Sequence, residues 1–332
     1  MKTAVIGSGA WGTTLAKVLA ENGHQVNLWC HDKKIADEVN QSRENKVLLP
    51  DVVLPEDITA VWDLALACHK AELVVVVVAS AFYDRVAQQL KGVLSEKALI
   101  VSATKGINEK DNQQLSQVLK THLPLQYHKK IAVLSGPNIA REIALQKVST
   151  TVISSSDEET AKAVQKAFNC HYLRVYTNSD MIGTEWGGTL KNVIALAGGI
   201  ADGLELGDNA KSAIMVRGLV EISRFACHFG AKPETFYGLA GLGDLITTCS
   251  STLSRNHHVG EQLGRGKSLS EILGKMVAVA EGVSTAKLVY QLALKHEIQM
   301  PVTEQVYKVL FEEKPVAEAI QNLMHRELRA EH

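Results

Sequence analysis

The sequence predicts an α/β protein in which a doubly wound, mostly parallel sheet over residues 1–179 precedes an all-helical domain over residues 180–332. Three observations support this prediction. Short β-branched and apolar runs alternate with helix-like patterns in the first half, as they do in sheets built from βαβ units. The valine-rich runs stop near Asp180, and only helical periodicity follows. The chain of 332 residues also exceeds about 250–300 residues, a size that single hydrophobic cores rarely pass, which favours two domains.

The strands of the predicted sheet are short apolar segments. They are expected at residues 4–6, 25–30, 73–78, 98–102, 131–134, 150–154 and 171–175. The segment at 73–78 gives the clearest signal, because Leu73 and the five valines after it leave no polar face. Such a run is typical of a strand that is buried on both faces of a sheet.

Helical patterns are expected between the strands and throughout the second domain. The first runs over residues 12–21 and ends at Asn22 and Gly23, since a residue that tolerates positive φ commonly ends a helix. Those of the second domain lie at residues 183–201, 209–229, 256–263, 284–296, 303–310 and 316–324. Pro315 precedes the last of them, where proline can open a helix without breaking it.

Charge and cysteine content exclude several classes of protein. Lys and Arg total 35 and Asp and Glu total 36, so no overall charge calls for nucleic acid or an anionic membrane as a partner. The longest apolar stretch, residues 73–79, is far shorter than the ~20 residues that span a bilayer. Five dispersed cysteines are typical of reduced thiols, and we interpret Cys249 as a packing residue rather than a nucleophile. We therefore expect a cytoplasmic protein without a membrane span.

No metal site is predicted. His257 and His258 are adjacent, so on a helix they point in different directions and cannot share a metal ion. Elsewhere the sequence has no carboxylate and histidine cluster with ligand spacing.

A glycine-rich turn follows the first predicted strand directly and precedes the first helix. Gly7, Gly9 and Gly12 form a G-x-G-x-x-G pattern. The first glycine permits a tight turn, the second lets the backbone approach a pyrophosphate, and the third lets the helix pack closely on the strand. The helix N-terminus offers free N–H groups and a partial positive charge to phosphates. A turn without a ligand is the alternative, but this context favours a Rossmann-type domain that binds a dinucleotide.

The end of the second strand usually decides between NAD and NADP. An acidic residue there binds the ribose 2′-OH of NAD, whereas a cation accommodates the 2′-phosphate of NADP. Asp32 lies one or two positions late for the first role and could equally belong to a solvated helix start. His31, Lys33 and Lys34 could serve the second role. The sequence permits either cofactor, with a lean towards NADP or dual use.

Two further strand ends carry candidate ligand-binding residues. Lys105 follows the strand at 98–102, at the carboxyl edge where open α/β sheets bind ligands, although a surface charge is the alternative. Residues 135–138 close another strand and are expected to open a helix at Asn138. Their backbone N–H groups could bind an anion or the cofactor, and Asn138 could simply cap the helix.

Lys191 is the candidate catalytic residue of the helical domain. It lies in an otherwise apolar helical segment, so it either reaches the surface or is held in a pocket. Hydride transfer to a ketone leaves an alkoxide that needs a proton, and a lysine beside the carbonyl oxygen can supply it. Asn192 is a plausible partner that orients the carbonyl or the lysine.

Two segments are predicted to form the remaining wall of the site, residues 241–245 and 254–256. Arg255 has the planar fork that suits a bidentate phosphate contact. Ser254 and its neighbours also open a helical pattern, so backbone amides converge there even if Ser254 is an ordinary N-cap. Asp244 could pair with the lysine, accept a substrate hydroxyl, or cap its own turn.

Seven stretches of the sequence, in this order, carry a family resemblance: GSGAWGTTLA, NLWCHD, SATKGI, LSGPNIAREI, GTLKNVIALAGGIADGL, GLAGLGDLITTCSSTLSRNHHVG and AEGVSTA. Together they resemble the bacterial NAD(P)-dependent glycerol-3-phosphate dehydrogenase family along essentially the whole chain. The resemblance implies a Rossmann domain, an all-helical C-terminal domain, and reversible hydride transfer between NAD(P)H and dihydroxyacetone phosphate. It also implies a homodimer and a supply of sn-glycerol 3-phosphate for phospholipid synthesis.

The resemblance assigns roles to individual residues and completes the candidate site. It implies that Lys191 is the catalytic residue. With the motifs above, the candidate substrate contacts are Lys105, Gly136, Asn138, Asn192, Asp244, Ser254, Arg255 and Asn256. The candidate cofactor contacts are Gly7, Gly9, Ala10, Trp11, Gly12, His31, Lys105, Ala140, Arg255, Val279 and Glu281. The family often has Ser or Thr where this chain has Asn138, which weakens that one assignment.

Two other functions fit parts of the pattern. A β-hydroxyacid dehydrogenase would join a similar pair of domains and use a lysine on a carboxylate substrate. A non-catalytic redox sensor would bind the cofactor and signal through a partner, but it would give Lys191 and Arg255 no reason to converge.

Overall fold

The computed structural model describes residues 1–276, 280–328 and 330, and its chain forms two compact units, Met1–Glu185 and Trp186–His332. The strands of the first unit belong to a single sheet. They are β1 (Lys2–Ile6), β2 (Gln25–Trp29), β3 (Ile58–Val61), β4 (Leu73–Val76), β5 (Leu99–Ser102), β6 (Ile131–Ser135), β7 (Ser149–Ser155) and β8 (Leu173–Asn178). Their order is β3-β2-β1-β4-β5-β6-β7-β8. All neighbours are parallel except the antiparallel pair β6 and β7, which confirms the predicted doubly wound sheet.

Strand β4 shows why the valine run predicted a central strand. Leu73 and Val75 pack into the hydrophobic cluster on one face of the sheet, and Val74 and Val76 pack into the cluster on the other. Because helices cover both faces, every position of the strand is apolar. The seven predicted strands are all present with shifted ends, whereas β3 was not predicted. That strand pairs with β2 alone, and its sequence, ITAV, alternates buried and more exposed positions, so it lacks the continuous apolar run that marks β4.

Helices of the first unit connect the strands. They are α1 (Ala10–Glu21), α2 (Lys33–Ser42), α3 (Leu64–Cys68), α4 (Ser80–Leu90), α5 (Leu115–His122), α6 (Ala140–Ala144) and α7 (Glu158–Phe168), with a 3₁₀ segment at Leu125–Lys130. Helix α1 ends as predicted, with Asn22 at its C-cap and Gly23 at a φ of +77°. Helix α8 (Met181–Gly203) begins in this unit and continues into the second.

The described part of the second unit is helical, as predicted. It contains the rest of α8 and then α9 (Asp208–His228), α10 (Asp244–Ser250), α11 (Arg255–Gly264), α12 (Leu269–Leu273), α13 (Glu281–Lys295), α14 (Pro301–Phe311) and α15 (Val316–Met324). A 3₁₀ segment (Pro233–Tyr237) and a π-helical turn (Leu239–Gly243) precede α10. Two short helices, α10 and α12, were not predicted. No described helix has both the length and the apolar composition that crossing a bilayer requires.

Helices α8 and α11 meet backbone to backbone. A Cβ atom added at Gly199 of α8 would lie 2.0 Å from the carbonyl oxygen of His257, and one at Gly260 of α11 would lie 2.1 Å from that of Leu196. Each helix repeats the glycine one turn later, at Gly203 and at position 264. Any side chain at these positions would push the two helices apart, so the glycines fix how closely α11 approaches α8.

A buried carboxylate caps the start of α14. Glu221 on α9 accepts hydrogen bonds from the backbone N–H groups of Val302, at 2.6 Å, and Thr303, at 3.1 Å. Its carboxyl also accepts the Thr303 hydroxyl at 3.0 Å. These bonds satisfy backbone donors that the first turn of a helix leaves without partners. Burial nevertheless disfavours the charged form and raises the pKa of Glu221 to about 7, from a usual value of 4.5.

Replacing Glu221 with Gln is expected to flatten the pH dependence of stability. Because the folded-state pKa lies above the unfolded value, the folded state of the parent binds more protons between pH 4.5 and about 7. The free energy of unfolding therefore falls as pH rises through that window, and a glutamine cannot make this contribution. Denaturant midpoints at pH 5, 6, 7 and 8 measure the slope, with exposed Glu318→Gln as the matched control. A slope in Glu221→Gln that equals the parental one would contradict the assignment.

Candidate active site

In the glycine turn between β1 and α1, the fold requires glycine at two of the three positions but not at the third. Gly7 has a φ of +127°, and a Cβ atom there would lie 2.7 Å from the Val77 carbonyl oxygen. A Cβ atom at Gly12 would lie 1.9 Å from the Gly7 carbonyl oxygen. At Gly9 an added Cβ atom meets no described atom within 4 Å. Packing therefore accounts for the first and third glycines, whereas the second borders open space.

The features of this turn fit a dinucleotide pyrophosphate. Gly9 is the N-cap of α1, and no described side chain caps the helix there, so the first N–H groups remain available to an anion. Ala10 and Trp11 begin the helix and are partly exposed. The indole Nε1 of Trp11 is buried with no hydrogen-bond partner among the described residues.

Asn45 holds the glycine turn in place, a role that was not predicted from the sequence. Its buried side-chain amide donates to the Ser8 carbonyl oxygen at 2.7 Å and to the Thr13 hydroxyl at 2.9 Å. The Thr13 hydroxyl donates to the same carbonyl at 3.3 Å. The contact spans 37 residues, so no local pattern could have predicted it.

The end of β2 supports the helix-start interpretation of Asp32. Its carboxylate is the N-cap of α2 and accepts the Lys34 N–H at 2.7 Å. His31, Lys33 and Lys34 are all exposed at the same end of the strand. The polar residues available to the 2′ position of a cofactor are therefore mostly cationic or neutral.

The structure brings Lys105 and Gly136 together at the carboxyl ends of β5 and β6. The Lys105 ammonium donates to the Gly136 carbonyl oxygen at 3.1 Å. Gly136 has a φ of +142°, and an added Cβ atom would lie 3.2 Å from the Cα atom of Thr151. Ala140 is tied to the glycine turn, because the Thr14 hydroxyl of α1 donates to its carbonyl oxygen at 3.1 Å.

The prediction that Asn138 opens and caps a helix is wrong. Helix α6 begins at Ala140 after Ile139, which has no capping group. The Asn138 side chain instead bonds to β7: its amide donates to the Thr150 carbonyl oxygen at 3.3 Å, and its oxygen accepts the Thr151 hydroxyl at 3.0 Å. The antiparallel strand β7 satisfies this side chain, and that pairing was invisible in the local sequence.

In the second unit Lys191 is held inside the protein rather than reaching the surface. Its ammonium forms an ion pair with the carboxylate of Asp244, and their side chains are 7% and 1% exposed. The ammonium also donates to the Thr248 hydroxyl at 2.6 Å. That hydroxyl in turn donates to the Asp244 carbonyl oxygen at 2.7 Å. The structure contains the pairing with the lysine, which is one of the three roles considered for Asp244.

Thr248 was not predicted as a site residue. It follows Asp244 by four positions, the spacing that places two side chains on one face of a helix. Residues 241–245 were not among the predicted helices, so no helical spacing pointed to position 248. Cys249, the next residue, is fully buried, and burial raises the pKa of its thiol to about 12, in agreement with a packing role.

Hydrogen bonds of Asn192 and Asn256 join helices α8, α11 and α13 next to Lys191 in the chain. The Asn192 side-chain oxygen accepts the Asn256 amide at 2.9 Å. The Asn256 oxygen accepts the backbone N–H of Gly282, in α13, at 2.9 Å. All three residues are buried, so the start of α11 is fixed on α8 one position after Lys191.

The start of α11 matches its predicted capping. Ser254 is the N-cap and accepts the His257 N–H at 3.3 Å. Arg255, the first helical residue, is exposed. Partial desolvation lowers the pKa of its guanidinium, and the nearby carboxylate of Glu281 opposes that shift. Val279, another predicted cofactor contact, lies outside the described residues.

The adjacent histidines have different surroundings, as predicted. His257 is buried and His258 is exposed. Within residues 1–276, 280–328 and 330, no group of three or more His, Cys, Asp or Glu side chains is arranged to hold a metal ion.

Comparisons with known proteins agree with both halves of the chain. Residues 2–161 match the family model of the NAD-dependent glycerol-3-phosphate dehydrogenase N-terminus, and residues 180–321 match that of its C-terminus. Glycerol-3-phosphate dehydrogenases (NAD(P)+) of Geobacter sp. strain M21 and of Listeria monocytogenes serotype 4b are each 46% identical over 330 residues, with 99% of this chain and 98% of each relative covered.

Solved structures give the same result. The glycerol-3-phosphate dehydrogenase of Coxiella burnetii superposes with a TM-score of 0.92 at 37% identity, over 98% of this chain and 99% of that one. That of Plasmodium falciparum superposes with a TM-score of 0.89 at 25% identity, over 99% and 96%. The chain therefore belongs to the NAD-dependent glycerol-3-phosphate dehydrogenase family.

Proposed function

We propose that this protein catalyses the reversible, NAD(P)-dependent interconversion of dihydroxyacetone phosphate and sn-glycerol 3-phosphate. The observation that carries the proposal is the buried ion pair of Lys191 with Asp244. A buried ammonium held in one orientation is a proton donor suited to a ketone that accepts hydride. Family membership supports the same reaction.

The glycine turn would hold the cofactor. The open space at Gly9 and the uncapped N-terminus of α1 fit a pyrophosphate, with Ala10 and Trp11 beside it. When bound, the reduced nicotinamide supplies the hydride. Further cofactor contacts are proposed at His31, Lys105, Ala140, Arg255 and Glu281.

Lys191 would move the proton. As hydride reaches C2 of dihydroxyacetone phosphate, the carbonyl oxygen gains negative charge, and the ammonium delivers its proton to that oxygen. In the reverse direction the neutral amine accepts the proton of the C2 hydroxyl. Asp244 and Thr248 fix the position of the amine, so that it need not be oriented during the reaction.

The start of α11 would bind the substrate phosphate. The Arg255 guanidinium can offer two parallel N–H groups, and Arg255 begins α11, whose N-terminal backbone N–H groups can also bind an anion. Because the phosphate is remote from C2, its binding energy can position the reacting carbon. The remaining proposed substrate contacts are Lys105, Gly136, Asn138, Asn192, Ser254 and Asn256.

A steady-state assay tests the proposal against its two alternatives. The protein is assayed with dihydroxyacetone phosphate and with short 2-keto acids, each with NADH and with NADPH. We expect substrate-dependent oxidation of the cofactor with dihydroxyacetone phosphate. A preference for keto acids would instead indicate a β-hydroxyacid dehydrogenase, and no turnover with any of them would favour a cofactor-binding sensor.

Replacing Arg255 with Ala is expected to raise KM for dihydroxyacetone phosphate by about 10- to 100-fold, because a hydrogen bond to a charged group contributes about 1.5–3 kcal/mol. Initial rates against substrate concentration measure the change. Arg265→Ala is the matched control, since Arg265 is exposed at the opposite end of the same helix and pairs with Glu261. An unchanged KM in Arg255→Ala would place the phosphate elsewhere.

A homodimer, a cytoplasmic location and a role in phospholipid synthesis are also proposed. They rest on the resemblance to the family and, for the location, on thiol chemistry. All five cysteines lie in the described part of the chain and form no disulfide, as expected in a reducing compartment. Sedimentation velocity tests the dimer, and a mass of one chain, 36.1 kDa, would contradict it.

A further inference from the structure

We propose that Lys211, Asp202 and His257 form a positioning network that holds the phosphate-binding start of α11 at a fixed distance from Lys191. None of the three is expected to touch the substrate. The inference rests on the proposed function, because it assigns the phosphate to Arg255 and the neighbouring amides. It concerns residues of the second unit only.

The network is a pair of short hydrogen bonds to a single carboxylate oxygen. Oδ2 of Asp202 lies 2.7 Å from Nε2 of His257 and 2.5 Å from the Lys211 ammonium. The His257 side chain is 6% exposed and that of Lys211 is 17% exposed. Two donors on one oxygen fix the Asp202 carboxylate and make it an anchor for the imidazole.

His257 is attached to α8 at two points. Its ring bonds to Asp202, and its backbone carbonyl rests on Gly199, where a Cβ atom would lie 2.0 Å from the oxygen. The preceding residue, Asn256, bonds to Asn192, two turns earlier on the same helix. Three contacts therefore hold the first turn of α11 against α8: the two hydrogen bonds and the close packing on Gly199.

These attachments place the two functional groups on one rigid pair of helices. Lys191 lies on α8 beside Asn192, and Arg255 begins the turn of α11 that the three attachments hold. A displacement of about 1 Å between a binding group and a reacting group can cost about 100-fold in rate.

A purely structural role for the network makes a different prediction. If His257 only stabilised the fold, its loss would reduce activity with every substrate in the same proportion. If it positions the phosphate-binding turn, its loss should affect a phosphorylated substrate and spare one without phosphate, because remote phosphate binding energy is used only by the former.

The experiment compares His257→Leu, His257→Gln and His258→Leu with the parent, using dihydroxyacetone phosphate and dihydroxyacetone. His258 is the matched control, since it is the adjacent histidine on the same helix and is exposed. We expect His257→Leu to raise KM for dihydroxyacetone phosphate by about 10- to 100-fold, the range for losing a hydrogen bond to a charged group. Its kcat/KM for dihydroxyacetone should stay within about threefold of the parent, as should every constant of His258→Leu.

His257→Gln keeps a side-chain N–H that can reach Asp202, so we expect it to recover most of the parental KM. Thermal unfolding of each variant shows whether the fold is retained. If the Leu variant unfolds, Lys211→Met takes its place, because it removes the other donor on Asp202 and should also raise KM for dihydroxyacetone phosphate while sparing dihydroxyacetone. A parental KM in the folded disrupting variant, or an equal loss on both substrates, would overturn the proposal. A parent that is inactive with dihydroxyacetone phosphate would instead overturn the proposed function, so the two failures are distinguishable.

Discussion

Replacing Lys191 with Ala is expected to lower kcat by about 10²- to 10⁴-fold, the usual contribution of a positioned acid or base. The substitution removes the ammonium that is paired with the Asp244 carboxylate. Affinity for the cofactor should stay close to parental, because Lys191 is not among the proposed cofactor contacts. Single-turnover and steady-state rates, with a fluorescence titration of NADH, separate these two effects.

The loss of Lys191 also leaves the Asp244 carboxylate buried without its cation, and breaking a buried pair costs about 3–5 kcal/mol of stability. Thermal unfolding must therefore accompany the kinetics. The double variant Lys191→Met with Asp244→Leu removes both charges and should regain stability without regaining turnover. Lys295→Ala, at the exposed end of α13, is the lysine control. Turnover of Lys191→Ala within a few-fold of the parent would exclude this lysine from the proton step.

The sequence predicted best those elements whose surroundings can be inferred from the residues of the element itself. The valine run of β4 has no polar position because both faces of the sheet are covered, so the run alone predicts a strand that is buried on both faces. The glycine turn has a local signature in its spacing, although the atoms that require glycine at Gly7 belong to Val77 and Val78, just after β4. By contrast, β3 pairs with β2 alone, and its sequence lacks the continuous apolar run of β4.

The sequence predicted which residues belong to the candidate site more readily than it predicted which of them contact one another. Lys191 and Asp244 are 53 positions apart, and no local pattern decides which of several roles an aspartate takes. Asn138 has a good capping side chain, but β7 offers it two partners, so it does not cap α6. Asn45 and Thr248 were missed because their roles depend on tertiary contacts and on a short helix that the sequence did not reveal.

The second large expected effect concerns the glycine turn. A glycine-to-alanine substitution is expected to weaken cofactor binding at one position and to destabilise the fold at another. Gly9→Ala adds a methyl group where no described atom lies within 4 Å, so the fold should keep its stability to within about 1 kcal/mol, the cost of alanine at an N-cap. The methyl group would nevertheless occupy the space through which a pyrophosphate reaches the backbone. We expect the Kd for NADH and NADPH to rise at least about tenfold, or about 1.4 kcal/mol.

Gly12→Ala should instead damage the fold itself. Its methyl group would lie 1.9 Å from the Gly7 carbonyl oxygen, a backbone atom that cannot turn aside as a side chain would. Forcing α1 away from the turn is expected to cost about 3 kcal/mol or more in the free energy of unfolding. Gly92→Ala is the control, because its added methyl group also meets open space but lies after α4, far along the chain from the turn.

Denaturant unfolding and fluorescence titration of all three variants distinguish a binding role from a packing role at each glycine. Loss of affinity without loss of stability in Gly9→Ala, beside loss of stability in Gly12→Ala, is the pattern expected if open space at the second glycine serves the cofactor. Parental affinity in Gly9→Ala would mean that the pyrophosphate does not approach the backbone there. The cofactor site would then have to be sought away from the turn, because the other two glycines are already explained by the fold.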